Sequence, residues 1–186
     1  MKPSPLLLAL LLGLPGCSPQ SSIPQGVQVY FSPNGGATDA VVNALDQATN
    51  LVLVQAYSFT SAPIARALVD AHRRGVRVQV ILDKSQRTEK YSEADFLLHN
   101  DIPTFIDAQH AIAHNKIIIL DNYVVLTGSF NFTRAAEEHN AENLLVINDP
   151  ALARRYTQNW HDHESHSEPY DRPALRTTEN RHSIRR

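Results

Sequence analysis

His114, Lys116, Ser129 and Asn131 place an imidazole, an ammonium, a hydroxyl and a carboxamide in one short stretch of chain. Together these groups supply what phosphodiester cleavage requires. A neutral imidazole can attack phosphorus. The Lys116 charge neutralises non-bridging oxygens, and Ser129 and Asn131 offer donors to phosphate oxygens. No carboxylate cluster with metal-ligand spacing accompanies them, so the sequence offers a two-metal reaction no ligands, and the expected chemistry is metal-independent with no cofactor.

Positioning these groups is the task of a β-hairpin. His114 and Lys116 stand at i and i+2 at the opening of an apolar run, so they project from one face of an extended strand. Asp121-Asn122 reads as a two-residue turn. With that turn, Leu120 faces Tyr123, Lys116 faces Thr127 and His114 faces Ser129, with Asn131 further along the same face. Gly128 is expected to leave room at the exit for a ligand to approach the backbone.

The rest of the chain alternates apolar runs with helical spacing. Strands are expected at 27–31, 51–56, 76–82, 102–106, 116–120, 123–127 and 143–147. Helices are expected at 39–49, 64–74, 93–100, 134–139 and 150–160, the second punctuated by Pro63 and Gly75. This alternation predicts an α/β domain with a mixed sheet over residues 27–160. Residues 161–186 read as a polar, disordered tail.

At this point a resemblance takes hold. His114-x-Lys116-x4-Asp121-x6-Gly128-Ser129-x-Asn131 resembles the HKD motif of the phospholipase D superfamily, with every position filled. The likeness is greatest to its small bacterial endonucleases, which carry one motif per chain. It runs from about Val27 to Trp160 and takes in residues 55–60 and the Glu142-Asn143 pair. The resemblance implies a mixed β-sheet with helices on both faces and a homodimer whose two motifs form one active site. In that arrangement one His114 becomes a phosphohistidine while the second copy's His114 protonates the leaving oxygen. It further implies that Glu142 orients the histidine, that Lys116, Ser129 and Asn131 bind substrate, and that Asp121 is structural, pairing within the turn. The activity it implies is nonspecific cleavage of DNA, with RNA as a further substrate. A phospholipase acting on lipid head groups is the second reading, and a binding protein with a decayed site is disfavoured because no motif position is lost.

Two further features bear on location. Lys2 and the apolar run Leu6 to Leu14 read as the core of a signal peptide over residues 1–17. Its end, Leu14-Pro15-Gly16-Cys17, resembles the lipobox of bacterial lipoproteins, which implies lipidation of Cys17, the only cysteine. Residues 18–26, rich in Ser, Pro and Gln, read as a linker. The expected location is the bacterial cell envelope, facing the periplasm. A formal net charge of −2 excludes a whole-molecule basic field, so nucleic acid would meet a local patch. Arg73, Arg74, Arg77, Lys84, Arg87 and Lys90 are candidates for it, the first three reading more readily as helix-end charges. His110 and His139 read as surface histidines, His161, His163 and His166 as part of a solvated tail, and Tyr156 and Trp160 as core.

Overall fold

The computed structural model describes residues 26–171. The expected signal peptide, Cys17 and nearly all of the linker therefore lie outside the described residues. The elements are β1 (Val27–Ser32), α1 (Ala37–Gln47), β2 (Leu51–Ala56), α2 (Ala62–Arg73), β3 (Arg77–Asp83), a 3-10 turn (Lys84–Arg87), α3 (Ala94–His99), β4 (Thr104–Asp107), β5 (Lys116–Leu120), β6 (Val124–Gly128), α4 (Arg134–Glu138), β7 (Glu142–Asn148), α5 (Pro150–Glu164) and β8 (Glu168–Pro169).

One mixed sheet runs in the order β1-β7-β6-β5-β2-β3-β4-β8. β2 lies parallel to β3, and β3 to β4, through helical crossovers, while the β5, β6 and β7 pairings are antiparallel. All six residues of β2 are buried, as expected of a central strand covered on both faces. Val52, Val54 and Ala56 join the larger core beneath α1 and α2. Leu51 and Leu53 face the other way, toward Trp160 and Ala153 of α5. Trp160, 1% exposed, donates its indole N–H to the Val54 carbonyl at 2.8 Å. The expectation of helices on both faces and of Trp160 in the core is met.

Helix ends follow local chemistry. Pro63 occupies the first turn of α2, where its missing N–H costs nothing, and Gly75 follows its C-terminus at a φ of 93°. Asp149 caps α5 by accepting from the Ala151 and Leu152 amides.

The expected disordered tail needs correction over residues 161–171, and its remainder, residues 172–186, lies outside the described residues. α5 runs on to Glu164, and β8 pairs with β4. The segment's polar side chains meet polar partners on neighbouring elements, while Tyr170 is buried in the larger core. Gln79 donates to Glu164, Arg87 pairs with Glu168 at 2.8 Å, and the Tyr170 amide donates to the Thr104 carbonyl. His163 and His166 reach the buried Asp107, so the solvated reading of these two histidines is also overturned. His161 is half-exposed beside Glu164.

Candidate active site

The hairpin turns where expected and pairs differently. Asp121 and Asn122 both adopt left-handed φ, 52° and 54°, and the Tyr123 amide donates to the Leu120 carbonyl. Short polar side chains are the non-glycine residues that tolerate this geometry best. Tyr123 is then an extra residue, and the ladder pairs Leu120 with Val124 and Ile117 with Thr127. Carried one step on, this register sets Lys116 beside Gly128, so the expected facing of Lys116 with Thr127 and of His114 with Ser129 is off by one. The cause is the bulge, since one added residue moves every later pairing by one.

Asp121 bonds across the sheet instead of within its own turn. Its two carboxylate oxygens accept from the amides of Thr49, Asn50 and Leu51 and from the Thr49 hydroxyl, at 2.8–2.9 Å. Burial pushes this carboxyl up, but those donors outweigh it and hold it below its ordinary value. The hairpin is thereby tied to the entry of β2.

At the opposite end of the hairpin lie the groups with chemistry. The C-terminus of β2, the start of β5, the end of β6 and the start of β7 meet there. His114 is exposed on the segment leading into β5. Its ring lies 4.6 Å from the Tyr57 ring, centroid to centroid. Lys116 is only 6% exposed, pairs with Ala56, and sets its ammonium 5.0 Å from the Tyr57 centroid. The Tyr57 amide donates to the Asn115 carbonyl at 2.9 Å. Tyr57 thus supports both motif side chains. It falls within the stretch 55–60 that carries the family likeness, yet its ring contacts depend on a β2–β5 pairing that no local pattern reveals.

Lys116 feels two opposed influences. Burial pushes its ammonium below the ordinary lysine value, while the negative charge of Glu142 opposes part of that shift. Glu142 accepts from Asn140 Nδ2 at 3.3 Å. Among the described residues no hydrogen bond joins it to His114, so within one chain its charge acts on the lysine.

Gly128 is required for a reason other than the one expected. A Cβ at this position, φ 153°, would collide with the Asn143 carbonyl oxygen. The group that approaches is therefore the chain's own β7 backbone. The same strand end holds Ser129, whose exposed Oγ accepts from the Asn143 amide at 3.1 Å and from Asn143 Nδ2 at 3.3 Å. Its hydroxyl proton stays available for donation outward. Asn131 Oδ1 is buried with no partner among the described residues. Its loop is pinned to the Tyr57 loop, because the Thr60 and Ser61 amides both donate to the Phe132 carbonyl.

The cationic candidates divide by position. Arg73 contacts Asn100 and Asp70, and Arg74 contacts the Leu45 carbonyl. With Arg77 at the start of β3, they lie at the end of the sheet away from His114. Lys84 and Arg87 follow the C-terminus of β3 on the site's own end, and Lys84 donates to the His110 carbonyl.

Comparison with known proteins agrees with this geometry. Residues 41–163 match the family described as "Cardiolipin synthase, PLD-like domain". A protein named phospholipase D from Rickettsia conorii is 44% identical over 134 residues, covering 72% of this chain and 67% of its own length. A mitochondrial cardiolipin hydrolase of Xenopus laevis is 35% identical over 104 residues, 56% of this chain and 50% of that protein. The crystal structure of Nuc from Salmonella typhimurium, a phospholipase D family member, superposes with a TM-score of 0.75 at 42% identity. It covers 77% of this chain and 97% of that one. A fold shared with Nuc over nearly its whole length, and a complete HKD motif at one end of the sheet, leave one assignment: this chain belongs to the phospholipase D superfamily of phosphodiester hydrolases.

Proposed function

We propose that the chain is a nonspecific endonuclease that cleaves DNA, and RNA as a second substrate, in an active site shared by two copies. The observation that carries this reading is one complete motif with His114 and Ser129 exposed at an open sheet end. A second copy set there about a two-fold axis supplies the second histidine. In the first step His114 attacks phosphorus, the bond to the leaving oxygen breaks, and the second copy's His114, as imidazolium, gives that oxygen its proton. Water then attacks the phosphohistidine, the P–N bond breaks, and the water proton returns to the second histidine. Lys116 balances charge on the phosphoryl oxygens, and Ser129 and the Asn131 amide donate to them.

A phospholipase reading draws support from the names of the Rickettsia and Xenopus relatives. The nucleic-acid reading is favoured by the single HKD motif, which resembles that of the superfamily's small endonucleases, in a chain whose fold covers 97% of Nuc. A parallel assay of plasmid DNA, RNA and phospholipid vesicles in excess chelator, with wild type and His114→Ala, decides between them. We expect nucleic-acid cleavage that disappears in His114→Ala. Lipid turnover alone would establish the alternative.

The same proposal places the enzyme in the cell envelope, held by lipid on Cys17. No helix among the described residues is long and apolar enough to cross a membrane. Cys17→Ser should move the protein to the soluble fraction; unchanged membrane retention would contradict the anchor.

A further inference from the structure

Asp107, His110, His163 and His166 form a second cluster of chemistry-bearing groups, for which the nuclease reaction has no use. Their ligand atoms lie within 4.8 Å of one another. Asp107 ends β4 and is fully buried; His110 follows it in the next loop. His163 stands in the last turn of α5, and His166 lies just beyond. Two pairs with the same i, i+3 spacing, Asp-x-x-His and His-x-x-His, are thus brought together from chain segments far apart in sequence.

Three ring nitrogens converge on one oxygen. From Asp107 Oδ2, His163 Nδ1 is 2.8 Å away, His110 Nδ1 3.0 Å and His166 Nε2 3.4 Å. Asp107 Oδ1 already accepts from the Gln109 amide at 3.2 Å. The His110 amide also donates to Oδ1, and the His110 ring is shared between the two oxygens, 3.1 Å from Oδ1, so with two lone pairs per oxygen the carboxylate is filled before His166 is reached. The surplus is visible: His166 Nε2 is buried and lacks a hydrogen bond.

A cation removes the conflict, because each neutral ring then offers a lone pair instead of a proton. With bonds of about 2.0–2.1 Å, tetrahedral ligand atoms sit about 3.3–3.4 Å apart, and imidazole centroids about 5 Å apart. The three centroid separations here are 4.9, 5.3 and 5.4 Å.

We propose that these four residues bind one divalent transition cation, zinc by preference, in a closed structural site. Three imidazoles and one carboxylate suit zinc and its first-row neighbours and poorly suit calcium or magnesium. Four protein ligands leave no open position for catalysis. The site stands three strands along the sheet from Lys116, about 14 Å by strand spacing. Its effect is to clamp α5 and β8 onto β4 and to fix the start of loop 108–115, which carries His114. That loop is fixed a second time where the Ala113 amide donates to the buried Asp83.

The test uses the full chain without a polyhistidine tag, stripped by chelator and titrated with cobalt as a spectroscopic probe. Wild type should take up one equivalent with the visible absorption of a tetrahedral site, and zinc should displace it and raise the melting temperature. His163→Ala/His166→Ala should lose both responses, and His161→Ala should keep them. Should the double variant fail to fold, His110→Ala decides, because that ring is 45% exposed and its loss should weaken cobalt binding at least tenfold. Absence of a one-equivalent tetrahedral cobalt site in wild type, or equal binding in His110→Ala, would overturn the proposal. Cleavage of DNA in excess chelator well below the melting temperature should persist, so the nuclease reading is judged separately.

Discussion

The Lys116 ammonium donates to the carbonyl oxygen of His114, two residues earlier, at 2.8 Å. The two motif residues are thus joined through side chain and backbone before any substrate arrives. The lysine side chain curls back along its own strand, and Tyr57 lies against both. This pairing fixes the segment that carries the histidine and keeps the cation beside it.

The Lys116 environment sets an alkaline limit. Burial lowers its proton affinity from the ordinary 10.5 and Glu142 restores part of it. The cationic form should therefore be lost below the pH at which a free lysine titrates, and kcat/KM should fall there with it. Glu142→Gln removes the restoring charge, so the alkaline limb should move to still lower pH. An alkaline limb that does not move in Glu142→Gln would contradict this.

Removing the Tyr57 ring should cost activity more than removing its hydroxyl. A cation over an aromatic face is worth about 0.5–2 kcal/mol, and loss of the ring also frees the histidine. Tyr57→Ala should lower kcat/KM about tenfold or more, and Tyr57→Phe should stay within about twofold. Equal losses in the two variants would show that the hydroxyl, not the ring, matters.

Asp121 should contribute stability with a defined pH dependence. Its folded-state value is depressed, so its stabilisation is full above the unfolded value of about 3.9 and is lost as pH falls through the folded one. Asp121→Asn should cost about 2 kcal/mol at neutral pH, from weakened charge-assisted bonds to three amides and a hydroxyl. In urea unfolding the gap from wild type should close below pH 4. A gap that is independent of pH would remove the carboxylate from this role.

Gly128→Ala should be destabilising whatever the substrate. The added methyl meets the Asn143 carbonyl, and the backbone there is one that side chains seldom adopt. A loss of more than about 2 kcal/mol is expected, with activity lost alongside as Ser129 shifts. Wild-type stability in this variant would show that β7 can move aside.

Much of the site was legible because it is local. The motif residues lie on one hairpin, and residue type alone places its turn at Asp121-Asn122, though not the third loop residue, Tyr123. The register was not legible, because the Tyr123 bulge leaves no mark in composition and shifts Lys116 toward Gly128. Tyr57 and the Asp107 cluster depend on strands and helices far apart in sequence meeting at sheet ends. The polar stretch after Trp160 looked unstructured for the same reason. Its partners, Gln79, Arg87 and Asp107, lie on β3, the turn after it and β4, and polarity aimed at a buried carboxylate reads like polarity aimed at water.

The central claim is that two copies of His114 act on one phosphorus atom. Reaction with an end-labelled oligonucleotide, quenched in alkali to preserve phosphohistidine and analysed by peptide mapping, tests it directly. The account predicts label on His114 with a limiting stoichiometry of one adduct per two chains. Label on every chain, or none on that histidine, would contradict it.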